Sequence, residues 1–389
     1  MVPLRVENDF ERFSIGAILN DTNLKINGVN FEGQYICKSD ETDIANIDLR
    51  FRASRTPAIF KDCETKEIKS IQSKLFNFRK YIGQHFSLEP NGTVTLRVNR
   101  IEFKYESLSG IIQELIDTDE RIRESENTGR SLQTHALEFY WDEPVDSKEA
   151  KESTQKVNMF LCFCMGKWIR PTCTQGYNAA EEVVWDFLQN PDQERRYVNS
   201  WFDANNGGQM EELFPLWMAK NHSDSWRKCL QEVVQLYLSA NDPTKGVEAG
   251  IVLSQTAMER LSYEEFVHDK KMLSKEGFGK IKSSDKLRML FGHLRVPISI
   301  PTTTPELERL GAERNWIDVL EGLMQIRNSI VHPEYNKRDT FKKTKIEAWR
   351  CNLWLLELAI LGILGYESTY ASRMALNRWV GQIEDVPWK

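Results

Sequence analysis

An α+β protein, with a β-rich N-terminal region followed by an all-α C-terminal helical bundle, is the fold class the sequence predicts. Two observations carry it. Residues 1 to about 110 contain short β-branched and aromatic runs separated by the turn signals Asn27-Gly28 and Asn91-Gly92. From Trp226 onward apolar residues recur every three or four positions, in segments with short or proline-marked connections. The change of period divides the chain into a β-rich domain over 1–145, a mixed or helical connecting region over 146–222, and a helical bundle over 223–389.

In chain order, strands are expected at Phe13–Leu19, Gln34–Cys37, Ile47–Arg52, Thr93–Val98 and Leu137–Trp141. Between them Ile68–Ile82 reads as a helix carrying Leu75, Phe76, Phe78 and Tyr81, and Gly110–Arg123 as a second. The acidic stretch from Asp142 to Glu152 is a linker or an exposed helix start. Val157–Cys164 is a buried strand or helix core, and Ala179–Leu188 and Met210–Met218 read as short helices around a Gly207-Gly208 loop. In the bundle, Trp226, Leu230, Val233, Val234 and Tyr237 form one stripe, and Ile251, Ser254, Met258 and Leu261 the next. Leu287, Leu290, Phe291 and Leu294 give another apolar face. A motif helix and a final helix over Ile346–Gly365 complete the bundle.

Composition narrows the function classes. Hydrophobic content of 41% and charged content of 28% over 389 residues are those of a globular protein with a sizeable core. No apolar run reaches the ~18 residues of a membrane span and no signal peptide is evident, so the expectation is a cytoplasmic protein without membrane contact. Seven cysteines without framework spacing fit a reducing compartment. A net charge of −6 disfavours a nonspecific nucleic-acid coat. Locally the sign reverses. Residues 267–296 carry eight Lys and Arg against three acids, and residues 336–350 carry six against two. Both runs flank, in sequence, the stretch Met324–Pro333, which makes Lys280, Lys282, Lys286, Arg288, Lys337, Arg338, Lys342 and Lys343 candidates for contacts to an RNA backbone. A solvated face is the ordinary alternative.

Along the helical pattern that runs from upstream into that stretch, Trp316, Val319, Leu320, Leu323, Ile330 and Val331 form an apolar stripe, and Arg327 falls near its middle. Arginine keeps its charge and is almost never buried without a partner, so Arg327 must meet a carboxylate, a phosphate or a gap between subunits. Pro333 disfavours helical geometry at His332, which places that histidine where the helix stops. A fixed cation, the Asn328 amide and a titratable imidazole together suit phosphate binding and proton transfer. The plainer alternative is a structural arginine paired with an acid and a histidine favoured by the helix dipole.

Arg327-Asn328-x-x-x-His332 resembles the Arg-polar-x-x-x-His signature of the HEPN superfamily, and a β-rich region before the bundle is similar to the Apea-like HEPN variant. The resemblance covers about the last 165 residues. It implies a small helical bundle acting as a homodimer, a metal-independent endoribonuclease without cofactor, and a place in antiviral defence, toxin–antitoxin or RNA-processing systems. It further implies RNA as substrate and a possible regulatory or defence-system partner protein. In the corresponding chemistry the ribose 2′-hydroxyl attacks the adjacent phosphate, His332 moves a proton, Arg327 stabilises the phosphorane charge, and Asn328 orients the phosphate or the imidazole. Glu259, on the preceding bundle helix, is a candidate partner for Arg327. A catalytically silent RNA- or protein-binding or regulatory subunit is the alternative function.

Other motifs are weaker. Cys162-x-Cys164 with Cys173 lacks a fourth ligand for zinc and reads as buried apolar cysteines. Glu64-x-Lys66 reads as a surface pair, and Gly277-Phe278-Gly279-Lys280 lacks the hydroxyl and second glycine of a phosphate loop. His85, His135, His222, His268 and His293 have no partner at meaningful spacing, so surface or core roles are expected.

Overall fold

The computed structural model describes residues 23–26, 29–36, 48–53, 58–61, 67–88, 96–128, 131–188, 198–332, 341–376 and 379–389. Three strands, β1 (Asn23–Ile26), β2 (Val29–Ile36) and β3 (Asp48–Ala53), form an antiparallel sheet in that order. An eight-stranded sheet follows. It takes β4 (Ala58–Lys61), β5 (Ile68–Phe76), β6 (Gln84–Leu88), β7 (Leu96–Tyr105) and β8 (Leu108–Glu114), then, after helix α1 (Thr118–Thr128), strand β9 (Gln133–Val145). Helix α2 (Ser147–Met165) crosses over to β10 (Thr172–Tyr177) and β11 (Val183–Leu188). The strand order is β4-β11-β10-β5-β9-β8-β7-β6, so the sheet continues beyond residue 145 and residues 146–222 supply two of its strands. The chain is thus a mixed α/β protein with a β-rich N-terminal region and a helical C-terminal part.

Three expected helices inside this sheet are corrected. Residues 68–76 are a central strand, hydrogen-bonded to β9 on one side and β10 on the other. Ile71, Ser73 and Leu75 face the core at the strand period of two, but the register shifts between Ile68 and Ser70 and places buried Ile68 three positions from Ile71. That bulge imitates a helical spacing. Likewise Leu108, Gly110, Ile112 and Glu114 alternate into the interior, and the helix begins only at Thr118. Gly110 stands opposite Phe103, whose ring would lie 1.9 Å from any Cβ there. A third expected helix, 179–188, is instead a turn and strand β11. Asn178 folds the turn by accepting from the amides of Ala180 and Glu182, both at 2.9 Å. The expected strands at Gln34, Ile47 and Leu137 fall on β2, β3 and β9. Phe13–Leu19 and the turns at Asn27-Gly28 and Asn91-Gly92 lie outside the described residues.

Asp146 starts α2 by capping the Glu149 amide at 2.8 Å, and Gly166 ends it at φ 66°. The helix buries Val157, Phe160, Leu161, Cys162, Phe163 and Cys164, so the cysteines are interior apolar residues. Among the described residues no group of three or more metal-ligating side chains converges. Then come α3 (Gly208–Lys220), α4 (Asp224–Asn241), α5 (Val247–Tyr263) and a π-helical extension of α5 over Glu264–Asp269. They are followed by α6 (Lys275–Lys280), α7 (Ser283–His293), α8 (Pro305–Arg314), α9 (Val319–Val331) and α10 (Lys345–Leu364), with the short pair β12 (Thr369–Tyr370) and β13 (Glu384–Asp385) at the end. α10 is buried nearly all round, and α4, α5 and α9 bury single stripes, as their patterns predict. No helix of the described residues is long and apolar enough to cross a membrane.

One buried polar cluster joins these parts. Arg373 donates through Nε to Glu357 Oε2 and through Nη2 to Oε1, both at 2.8 Å, and also reaches Asn241 Oδ1 at 2.9 Å and the carbonyl of Asn199 at 2.6 Å. Tyr237 donates to Glu357 at 2.5 Å, and Asn241 donates to the carbonyls of Gly166 and Asn199. Both ions are inside the core, with side-chain exposures of 5% and 0%.

Two stability predictions follow from interior polar groups. Breaking one side of a buried ion pair strands the other charge, so Arg373→Met should cost about 3–5 kcal/mol in denaturant unfolding, more than the double change with Glu357→Leu. A double mutant as unstable as the single one would contradict this. His135 is fully buried between Phe78 and Tyr81, and burial pushes its pKa down to about 3. Below about 6.5 the unfolded chain binds a proton that the folded chain refuses. His135 therefore withdraws about 1.4 kcal/mol of stability per pH unit as pH falls from there toward 3. His135→Gln should flatten the decline of unfolding midpoints between pH 7 and pH 4, and an unchanged decline would refute it.

Candidate functional site

The motif helix α9 is fixed at its start. Asp318 caps it by accepting from the Glu321 amide at 2.9 Å, and the Glu321 carboxylate returns to the amide of Ile317. Arg288 clamps the same aspartate, with Nε at 2.6 Å from Oδ2 and Nη2 at 3.2 Å from Oδ1. Trp316 packs on Gly322, where a Cβ would meet its ring at 2.4 Å, and donates to Gln325 at 3.1 Å. Farther along, buried Gln255 of α5 donates to the carbonyl of Leu323.

The buried stripe of α9 runs through Val319, Leu320, Leu323, Ile326 and Ser329. Its centre is Ile326, not Arg327, which is half-buried at the margin, while Val331 is 42% exposed. Arg327 Nη1 donates to Asn328 Oδ1 at 3.3 Å, and Arg327 Nε is buried without a hydrogen-bond partner. Among the described residues no carboxylate lies within ion-pair distance of this guanidinium. The helix stops where Pro333 predicts. His332 is its C-cap at φ −98°, ψ 142°, exposed, with its amide bonded to the carbonyl of Asn328 and its ring in no hydrogen bond among the described residues.

Helix directions place the remaining candidates. Ser262 of α5 bonds to Lys286 of α7, Arg288 of α7 holds Asp318, and Gln255 meets Leu323. α9 therefore runs antiparallel to α5. Glu259 lies four residues past Gln255 in one direction and Arg327 four past Leu323 in the other, about 12 Å apart along the axes at 1.5 Å per residue. The structure does not bring them together. The same geometry puts Arg327 and His332 at the end of the bundle where Glu248 pairs with Lys345, the start of both α5 and α10.

The two basic runs flank the motif in sequence but not in space. Lys280, Lys282 and Lys286 belong to α6 and the start of α7, at the far end of α5. Lys280 pairs with Glu276, Lys286 lies over the Phe278 ring at 4.5 Å, and Arg288 is consumed by Asp318 and Asp285. Exposed Lys342 and Lys343 precede α10 at the motif end, whereas Lys337 and Arg338 lie outside the described residues. A cavity of about 750 Å³ is lined by residues such as Phe78, Tyr81, Lys167 and Val198 beside the sheet and by none of the motif.

Sequence reasoning missed one other juxtaposition. His293 Nε2 lies 3.1 Å from Glu265 Oε1, across 28 residues of chain. Nothing in the spacing announces it, because the contact depends on the π-helical turn that rotates Glu264 and Glu265 inward.

Arg288→Ala should cost roughly 2 kcal/mol by unclamping the α9 cap, whereas Lys343→Ala should stay within about 0.5 kcal/mol. Denaturant midpoints of the two variants check this, and equal effects would contradict the placement.

Two family models match separate segments of the chain. Residues 64–196 match the family model described as the YopA central domain, and residues 223–385 that of the YopA C-terminal domain. No solved structure matches. Over 386 residues, 97% of this chain and 84% of the relative, the protein is 27% identical to the SPbeta prophage-derived uncharacterized protein YopA of Bacillus subtilis (strain 168), and it is to that protein and those two domains that it is similar.

Proposed function

We propose that this protein is a metal-independent endoribonuclease of the HEPN type, acting as a homodimer through Arg327, Asn328 and His332. The observation that carries the reading is the unsatisfied guanidinium. Arg327 is half-buried, its Nε has no partner, and no described carboxylate neutralises it, so an anion completes its surroundings. Asn328 holds Nη1 and so presents the fork rather than touching the imidazole. His332 stands exposed at the helix end, able to take or give the proton that attack by the 2′-hydroxyl requires.

One chain supplies one such histidine, while the reaction uses a base and an acid. A two-fold pairing of motif ends supplies both. Exposed Val331 and Ile346, at 42% and 66%, lie at that end and offer apolar surface for it. Lys342 and Lys343 add cations for the RNA backbone. The prophage origin of the relative fits a defence- or toxin-type role, with a regulatory partner. A second reading is a catalytically silent module that binds RNA or protein. It draws on the imidazole, whose ring reaches neither Arg327 nor Asn328 within one chain.

Incubating the purified protein with total RNA in EDTA tests both. Cleavage leaving 2′,3′-cyclic phosphate or 3′-phosphate ends, lowered at least ~100-fold in Arg327→Ala and His332→Ala with unchanged melting, is expected. RNA bound but uncut would select the silent module, and magnesium-dependent cleavage with 5′-phosphate ends would overturn the proposal.

A further inference from the structure

At the opposite end of the bundle from Arg327, a cleft of about 430 Å³ opens between the ends of α3, α7 and α10 and the π-helical turn. Two adjacent carboxylates enter the interior on that turn, with side-chain exposures of 2% for Glu264 and 4% for Glu265. They are treated differently. Glu264 is paired with Arg260 at 2.8 Å and accepts from Ser225. Glu265 has no such fixed cation. Its Oε1 meets His293 Nε2 at 3.1 Å and Lys270 Nζ only at 4.0 Å, and its Oε2 is buried with no hydrogen-bond partner. An unsatisfied buried carboxylate oxygen is costly, and Glu265, which carries it, is among the residues that line the cleft.

The other walls add acceptors. α10 ends in a Schellman motif, with Tyr366 bonded to Leu361 and Gly365 to Gly362, so the carbonyls of Ile363 and Leu364 have no donor within the helix. The negative end of the helix dipole lies there too. In the neutral tautomer that donates from Nε2 to Glu265, His293 would keep the lone pair of Nδ1. Leu216, Leu294 and Ile363 contribute apolar surface. At the rim, Lys220 is held by Asp269 at 3.3 Å and over the Trp226 ring, while half-exposed Lys270 has only its long contact to Glu265.

We propose that this cleft binds a small zwitterion of the α-amino-acid class with an aliphatic side chain. Its ammonium sits among Glu265, His293 and the carbonyl end of α10, its carboxylate takes Lys270, and its side chain lies on Leu216 and Leu294. The site rests on none of the ribonuclease reading.

Calorimetric titration of the full chain with L-leucine, leucinamide and N-acetyl-leucine tests it. Leucine should bind, leucinamide more weakly, and N-acetyl-leucine, which lacks the ammonium, not at all. Glu265→Gln and His293→Gln should each weaken leucine at least ~10-fold, with leucine-free melting used to confirm folding, and Arg327→Ala should bind as the wild type does. Equal binding of N-acetyl-leucine, unchanged affinity in both variants, or no heat with any of the three up to about 10 mM would overturn the proposal.

Discussion

The arrangement of the whole molecule depends on one buried guanidinium. Arg373 lies in the segment after α10, yet it binds Glu357 of α10, Asn241 at the end of α4 and the Asn199 carbonyl that follows the sheet. Asn241 in turn holds the carbonyl of Gly166, the residue that ends α2 before the chain re-enters the sheet at β10. Next to this cluster Tyr237 meets the Phe163 ring edge-on, and Phe163 in turn stacks on Trp201 and Trp217. Hydrophobic burial supplies most of the driving force, in one core running from Ile68 to Val386, but it is non-directional. The ion pair and its amides set the angle at which the helical part meets the β-rich part, because a misaligned interior charge is worth several kcal/mol.

Arg327 presents the reverse case. Its chemistry is the same, but the chain supplies it only a neighbouring amide and leaves Nε without a partner among the described residues. A protein that satisfies one interior arginine with five hydrogen bonds has no difficulty neutralising a second. On the reading proposed above, the unpartnered Nε of Arg327 is where an anion would complete the structure. Its helix is meanwhile held firmly at the other end by Arg288, Asp318 and Trp316, so the site is presented by a rigid element.

Much of this was legible in the sequence, and the failures have physical causes. Long apolar periods located α4, α5, α9 and α10, and Pro333 located the end of α9, because burial and proline sterics are local. Strand β5 was misread because a bulge gave Ile68 and Ile71 a helical spacing, and β8 because Gly110 makes room for Phe103 across the sheet. Arg327 was placed at the centre of its stripe because Ile326 was left out of the pattern. The basic runs looked like one footprint only in sequence, since α5, about 25 Å long at 1.5 Å per residue, separates the two ends of the bundle. His293 was dismissed for want of a nearby partner. A π-turn supplied one from Glu265, and no sequence period encodes such a turn.

The central claim is that Arg327 is vacant for a backbone phosphate. The most direct measurement is the salt dependence of the dissociation constant for a 2′-O-methyl RNA oligonucleotide, which cannot be cut by 2′-hydroxyl attack. Weaker binding by Arg327→Ala is expected, with the slope of log K against log salt reduced by about one relative to wild type. Identical affinity and slope in the two proteins would contradict it.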